Sequence, residues 1–206
     1  MSRDRSKRVD HYFSVSPASE KHFGVVRTRL RGRGFEFLTG SGVFSKRQVD
    51  LGSRVLVENM VLPVEGCVLD VGCGYGVVGI AAAVFNPLLR VVLSDVNARA
   101  VGLARRNAEV NGVAGRVDVR LGAFYLPVVG LRFDCVLCNP PVSAGMEVVK
   151  AIVVGARSVL LPGGCFELVI RSKIGVKLIP DLFREVFGNC SVVARESGYR
   201  VLLGRA

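Results

Sequence analysis

Histidine is nearly absent. His11 and His22 are the only two in 206 residues, so no imidazole base is available after residue 22. Metal-ligand spacing is also scarce. Cys135 and Cys138 form the one C-x-x-C, with no second such pair to complete four ligands. They fall in FDCVLC, which reads as a strand, where odd spacing sends the two side chains to opposite faces. The expectation is no metal, and six reduced core cysteines rather than disulfides.

Long apolar runs are missing as well. The longest, residues 77–85, is too short to span a bilayer and contains Gly79. The opening MSRDRSKRVDHYF has charge but no apolar h-region, so it does not read as a signal peptide. There is no internal repeat and no low-complexity segment. These absences together lead us to expect a cytoplasmic protein with no membrane partner.

Acidic residues are outnumbered. Seventeen Asp and Glu face 28 Lys and Arg, for a net charge of +11. That balance favours a polyanionic partner, nucleic acid first. The charge is concentrated at the start: residues 1–34 carry +6, more than half of it. Half of the chain is hydrophobic, so a sizeable core is expected.

Residues 22–32 alternate, with Val26, Thr28 and Leu30 on one face and Arg27, Arg29 and Arg31 on the other, the pattern of a half-buried strand. Gly32-Arg33-Gly34 is read as the turn, and 35–39 as the returning strand of a hairpin. The arginine row is either a solvated sheet face or a phosphate-contacting stripe. Residues 1–52 are therefore expected to form a basic extension with a β-hairpin, ahead of a domain at 53–206.

From about residue 53, strands and helices alternate as a parallel sheet with crossover helices requires. Strands are expected at 67–71, 91–96, 117–121, 133–138 and 165–170. Helices are expected at 76–85, from 98 to the stop at Asn111-Gly112, at 144–160 and near 176–187. Leu161-Pro162-Gly163-Gly164 suits a type II turn. The last two strands, 191–195 and 199–203, are close enough to pair as an antiparallel hairpin. The fold class is α/β: a Rossmann-like, mostly parallel sheet, helices on both faces, and a C-terminal antiparallel hairpin.

Three strand ends carry chemistry. Asp70-Val71-Gly72-Cys73-Gly74-Tyr75-Gly76 joins a strand to a helix through glycines, which let a backbone approach a ligand. The same stretch fits a dinucleotide fingerprint through Gly74, Gly76 and Gly79. Asp70 argues against a pyrophosphate there and for a ligand with an ammonium group. Asp95, 21 residues after Gly74, ends the next strand where a carboxylate can bind both ribose hydroxyls; Val96 follows it. A helix N-cap is the alternative for Asp95. Asn139-Pro140-Pro141-Val142 ends a central strand with two backbone donors removed. The Asn139 oxygen and a proline carbonyl remain as acceptors for the two N–H groups of an exocyclic amine. Holding both would aim the nitrogen lone pair at an incoming methyl, by positioning and electrostatics rather than by a strong base.

With DVGCGYG, SDVN, RNAEVNG and NPPVSAG in place, the chain resembles the small-domain class I methyltransferases related to bacterial 16S rRNA guanine-N2 methyltransferases, in their short archaeal form. HYFS at His11–Ser14, GVFS at Gly42–Ser45 and GYRVL at Gly198–Leu202 extend the resemblance over nearly the whole chain. It implies seven strands and S-adenosyl-L-methionine as methyl donor. It places Asp70, Gly72, Cys73, Gly74 and Gly76 at the methionine part, Asp95 and Val96 at the ribose, and Asn139, Pro140 and Pro141 at the target amine. Arg27, Arg29, Arg31, Phe44 and Val142 are expected on the substrate side, with rRNA or a ribosomal subunit as partner. Two departures stand out. Many relatives have a base-stacking aromatic where this chain has Val142. Many have an Asp after the third strand where this chain has Leu121-Gly122-Ala123-Phe124, leaving Phe124 and backbone groups for the cofactor adenine. Three other readings stay open: a protein glutamine methyltransferase, an NAD(P)-dependent oxidoreductase, and a catalytically silent RNA- or partner-binding module.

Overall fold

The computed structural model describes residues 23–43, 45 and 47–206. Phe44 and the HYFS segment, both read as functional in the sequence, lie outside the described residues.

Strands β1 (Phe23–Leu30) and β2 (Arg33–Gly40) pair antiparallel. Val26 and Leu30 are buried between Arg27 and Arg29, which are exposed. The strand stops two residues earlier than its alternation suggests. Arg31 and Gly32 are the turn, at φ +44° and +77°, and two positive φ values match the twist of tight hairpins. Arg31 therefore leaves the arginine row. Its guanidinium turns back onto the body, donating to the backbone carbonyls of Glu58 (3.2 Å) and Met60, 5.5 Å from the centre of the Phe85 ring.

The other seven strands form one sheet: β3 (Gly66–Val71), β4 (Leu89–Asp95), β5 (Val117–Leu121), β6 (Phe133–Cys138), β7 (Leu160–Arg171), β8 (Ser191–Glu196) and β9 (Tyr199–Arg205). Their order is β5-β4-β3-β6-β7-β9-β8. The first five run parallel, and β9 is antiparallel to both of its neighbours. The expected terminal hairpin is present, with β9 inserted between β7 and β8. The Pro-Gly pair at 162–163 does not end β7. Gly163 has the positive φ of a type II turn (+80°), but the chain bulges there and the strand runs on.

Helices α2 (Val77–Phe85), α3 (Ala98–Val110), α4 (Met146–Val159) and α5 (Leu178–Phe187) are the expected crossovers and the last helix, with ends moved by one or two residues. The sequence reading missed α1 (Leu51–Asn59), which crosses the boundary drawn at residue 52. Its first turn is capped by the Asp50 carboxylate, which accepts Ser53 N–H at 3.1 Å. One core lies between the sheet and the hairpin, α1, α2 and α3; the other lies beneath α4 and α5. Consistent with this, Cys135 belongs to the first core and Cys138 to the second.

Two asparagines of RNAEVNG join the hairpin to the domain. Asn107 pairs with both backbone groups of Leu38 (2.7 and 2.9 Å), and Asn111 does the same with Glu36 (3.3 and 2.8 Å). One helical turn apart, they stand in for a missing strand on the edge of β2. Asn107, fully buried, also donates to Tyr75 O at 2.8 Å and so ties the hairpin to the glycine loop.

Candidate functional site

The strand order reverses between β3 and β6, so the helices that follow these strands leave on opposite faces and a crevice opens at their carboxyl ends. A cavity of about 620 Å³ lies there. Its lining includes Asp70, Gly72, Cys73, Gly74, Asp95, Val96, Phe124, Asn139, Pro140, Pro141 and Val142, which are scattered over 73 positions of the chain. Gly76, Arg27, Arg29 and Arg31 are not among the lining residues.

The glycines divide by role. Gly72 and Gly74 take φ +69° and +56°, and a Cβ on either would meet nothing within 4 Å. Their backbone is open to a ligand. Gly76, at φ +96°, and Gly79 serve packing instead: a Cβ would come within 2.7 Å of Ile80 and 2.8 Å of Leu93 respectively. Their smallness lets α2 lie against β4.

Asp70 is 2% exposed, and one of its oxygens accepts Gly79 N–H at 2.8 Å. Burial, with a smaller push from the charge of Asp95, raises its pKa to about 7 against the lowering effect of that hydrogen bond. A carboxylate so placed gains most from a cationic ligand group. Asp95 accepts Gly74 N–H and Asn97 N–H, one on each oxygen, both at 2.8 Å. It is not the cap of α3. Asn97 is, with its side chain accepting Arg99 and Ala100 N–H. Asp95 spans instead from its own strand end to the glycine loop, where a ribose would lie. Burial holds its pKa above the usual range. Phe124 closes that side at φ +48°, a conformation a bulky residue adopts only when its surroundings impose it; its carbonyl accepts Ser94 Oγ at 3.3 Å. Glycine backbone, a buried and a half-buried carboxylate, and an aromatic wall suit a ligand with an ammonium group, a ribose and an adenine. They fit S-adenosylmethionine.

Asn139 ends β6. Its Nδ2 donates to the Asp50 carboxylate (2.8 Å) and approaches Ser53 Oγ (2.9 Å). A carboxylate only accepts, so the amide is held with nitrogen toward α1. The Asn139 oxygen has no donor among the described residues and is left as an acceptor. The proline carbonyls are partly used: that of Pro140 accepts Val142 N–H and that of Pro141 accepts Ala144 N–H, both at 2.9 Å. Asn139 thus carries more of the acceptor role than the sequence reading gave it. That reading also missed Asp50 and Ser53, whose link to Asn139 spans 89 and 86 positions, and Tyr199 and Arg171, which line the same cavity.

Among the described residues, Cys135, Cys165 and Glu167 bring three potential ligand atoms within 4.8 Å of one another. The sequence could not show this, because Cys165 reaches Cys135 only through the pairing of β6 with β7. Burial raises Glu167 to about 8, and the Cys165 hydrogen bond and burial push the Cys135 thiol up. Glu167 and Cys135, held protonated in this way, are poor ligands, whereas the same hydrogen bond lowers the Cys165 thiol.

The methyltransferase small domain family matches residues 34–203. An uncharacterized Bacillus subtilis protein, YbxB, is 37% identical over 194 residues, 94% of this chain and 96% of its own length. Ribosomal RNA small subunit methyltransferase C of Escherichia coli is 35% identical over 172 residues, 82% of this chain and 48% of its own. A solved T. thermophilus 16S rRNA N2 guanine methyltransferase, in complex with AdoMet and guanosine, superposes with TM-score 0.80 at 26% identity, over 92% of this chain and 52% of its own. The chain spans about half the length of these rRNA methyltransferases. No helix among the described residues is long and apolar enough to cross a membrane. Fold, glycine loop and family match agree, and the oxidoreductase alternative falls with them: the chain belongs to the methyltransferase small domain family of S-adenosylmethionine-dependent methyltransferases.

Proposed function

We propose that the protein methylates an exocyclic amine of an RNA base, with guanine N2 of ribosomal RNA as the target. One observation carries the proposal. Asp50 and Ser53 hold the amide nitrogen of Asn139, so that its oxygen remains as an acceptor beside the cofactor loop.

S-adenosylmethionine supplies an electrophilic methyl group. The residues of the chain do the rest. Asp70 and the backbone of Gly72 and Gly74 hold the methionine end, Asp95 the ribose, and Phe124 flanks the adenine. The Asn139 oxygen accepts one N–H of the target amine, and the free lone pair of the Pro140 carbonyl accepts the other. Held so, the amine presents its lone pair in line with the methyl. A base within a duplex would have to be flipped out to reach the crevice.

The net charge of +11 and the rRNA methyltransferases among the relatives favour RNA over a glutamine side chain. Ribosomal RNA or a small ribosomal subunit, met in the cytoplasm, is the proposed partner. Arg27 and Arg29 would approach its phosphates, with the basic hairpin acting as an RNA-binding extension of the methyltransferase domain.

The test is methyl transfer from labelled S-adenosylmethionine to deproteinised 16S rRNA and to small subunits, followed by nucleoside mass spectrometry. The expected product is N2-methylguanosine. Label found only on ribosomal-protein glutamine would overturn the RNA assignment.

A further inference from the structure

Val142 cannot stack on a base as an aromatic would, but the lining of the same cavity includes a ring, that of Tyr199. β7 ends at Arg171 and β9 begins at Tyr199, and the two residues face each other across the antiparallel pair. Because β9 runs against β7, its first residue arrives at the carboxyl end of the parallel strands, beside Asn139. A Cβ placed on Gly52 would lie 3.1 Å from both the Asn139 oxygen and Tyr199 Cε1. The Tyr199 ring therefore borders the acceptor that meets the target amine.

Arg171 is exposed and lines the cavity. Its Nε donates to Tyr199 Oη at 3.1 Å, and its guanidinium carbon lies 5.8 Å from the Tyr199 ring centre. Among the described residues the two terminal nitrogens have no partner, and the Nε contact fixes the plane of the fork. Cys138 is level with Leu168, so Arg171 stands two positions beyond the level of Asn139, about 7 Å along the sheet. That is on the order of the width of a purine.

We infer that Tyr199 and Arg171 select the target base: Tyr199 supplies the aromatic surface that Val142 lacks, and the free fork of Arg171 reads the O6 and N7 acceptors of guanine. Adenine offers a donor in place of O6, and an arginine fork has only donors, so adenine is refused. This rests on the guanine reading proposed above and adds the residues that enforce it.

The test uses guanosine and 2-aminopurine riboside, which keeps the exocyclic amine but lacks O6. Protein saturated with S-adenosylhomocysteine is titrated with the fluorescent 2-aminopurine riboside, and guanosine competes. Wild type should prefer guanosine by roughly tenfold or more, as a good bidentate base contact gives. Arg171→Gln should bring that preference close to one, weakening guanosine clearly more than 2-aminopurine riboside, which offers the fork N7 alone. Tyr199→Leu should weaken both ligands about tenfold, and Tyr199→Phe should restore most of that loss. An unchanged preference in Arg171→Gln overturns the inference. So does an equal loss for both nucleosides, which would make Arg171 a general contact, or a wild type that binds neither. The two readings fail separately. An rRNA guanine methylated equally well by Arg171→Gln sinks only this one, whereas discrimination without guanine methylation sinks only the reaction proposed.

Discussion

Asn139 and Asp50 are 89 positions apart and joined by a 2.8 Å hydrogen bond. It makes the N-cap of α1 the clamp of the acceptor amide. Asn139→Ala should lower single-turnover kcat by roughly 10²–10³-fold, as loss of one preorganised contact to a reacting group does, and leave cofactor affinity within a few-fold. Asp50→Ala should lose about tenfold in kcat by letting the amide turn, along with about 1 kcal/mol of stability from the lost cap. A normal rate for Asn139→Ala would refute amine methylation at this site. Gly52→Ala should also slow turnover, since its methyl would press on Asn139 and Tyr199 at 3.1 Å.

Cofactor binding should depend on Asp70 and Asp95. Replacing either with Ala is expected to cost about 1–3 kcal/mol in calorimetric affinity. The pH dependence separates the two. Burial raises the Asp70 carboxyl to about 7, and it must ionise to meet an ammonium group. Affinity should therefore rise as pH increases from about 6 to 8, with proton release on binding, and Asp70→Asn should remove that slope. A flat pH profile in the wild type would place the ammonium group elsewhere.

The arginines should divide. Arg31 holds the hairpin turn onto α1, so Arg31→Gln should lower the melting temperature, by about 1–2 kcal/mol of stability. Arg27, paired with Glu36 at 2.8 Å on an open face, and Arg29 should leave stability nearly unchanged. If they meet phosphates, changing both to Gln should flatten the log–log salt dependence of RNA affinity by about 2 units. An unchanged slope would return the row to a solvated sheet face.

Glu167 is buried with one oxygen accepting Val61 N–H at 2.9 Å and the other without a partner among the described residues. Burial raises its folded pKa from 4.5 to about 8. Between those values the unfolded chain is ionised there while the folded protein keeps the proton, so stability should fall as pH rises through that window. Glu167→Gln keeps an acceptor for Val61 and should flatten the decline. Parallel melting curves at pH 5 and pH 8 would test this; equal slopes for both proteins would show that Glu167 is not the group responsible.

The parallel strands and the glycine loop were legible because their signals are local: apolar runs that end in Asp or Asn, then glycine. Helix α1 was not legible. LGSRVLVEN contains Gly52 and two β-branched valines, and what stabilises it, the Asp50 cap and burial against β7 and β9, comes from the tertiary fold. Arg31 was misplaced because alternation cannot tell the last residue of a strand from the first of a turn. The two carboxylates that line the cavity, Asp70 and Asp95, could be picked out from the sequence, each standing beside a turn. The groups that orient Asn139, and Tyr199 and Arg171 in the same cavity, could not, since strand pairing and helix packing assemble them from segments far apart.

The place of β9 in the sheet has a consequence for how the chain is made. β8 is synthesised before β9, yet among the described residues β9 is its only neighbour in the sheet and lies between it and β7. As the polypeptide leaves the ribosome, the hydrogen-bonding edge of β7 stays open and β8 has nothing to pair with until β9 emerges. The methyl-donor loop can form early in synthesis, but the Tyr199 wall arrives last. An incomplete nascent chain could therefore hold the parallel half of the sheet while exposing a sticky strand edge, the condition in which chaperone capture competes with folding.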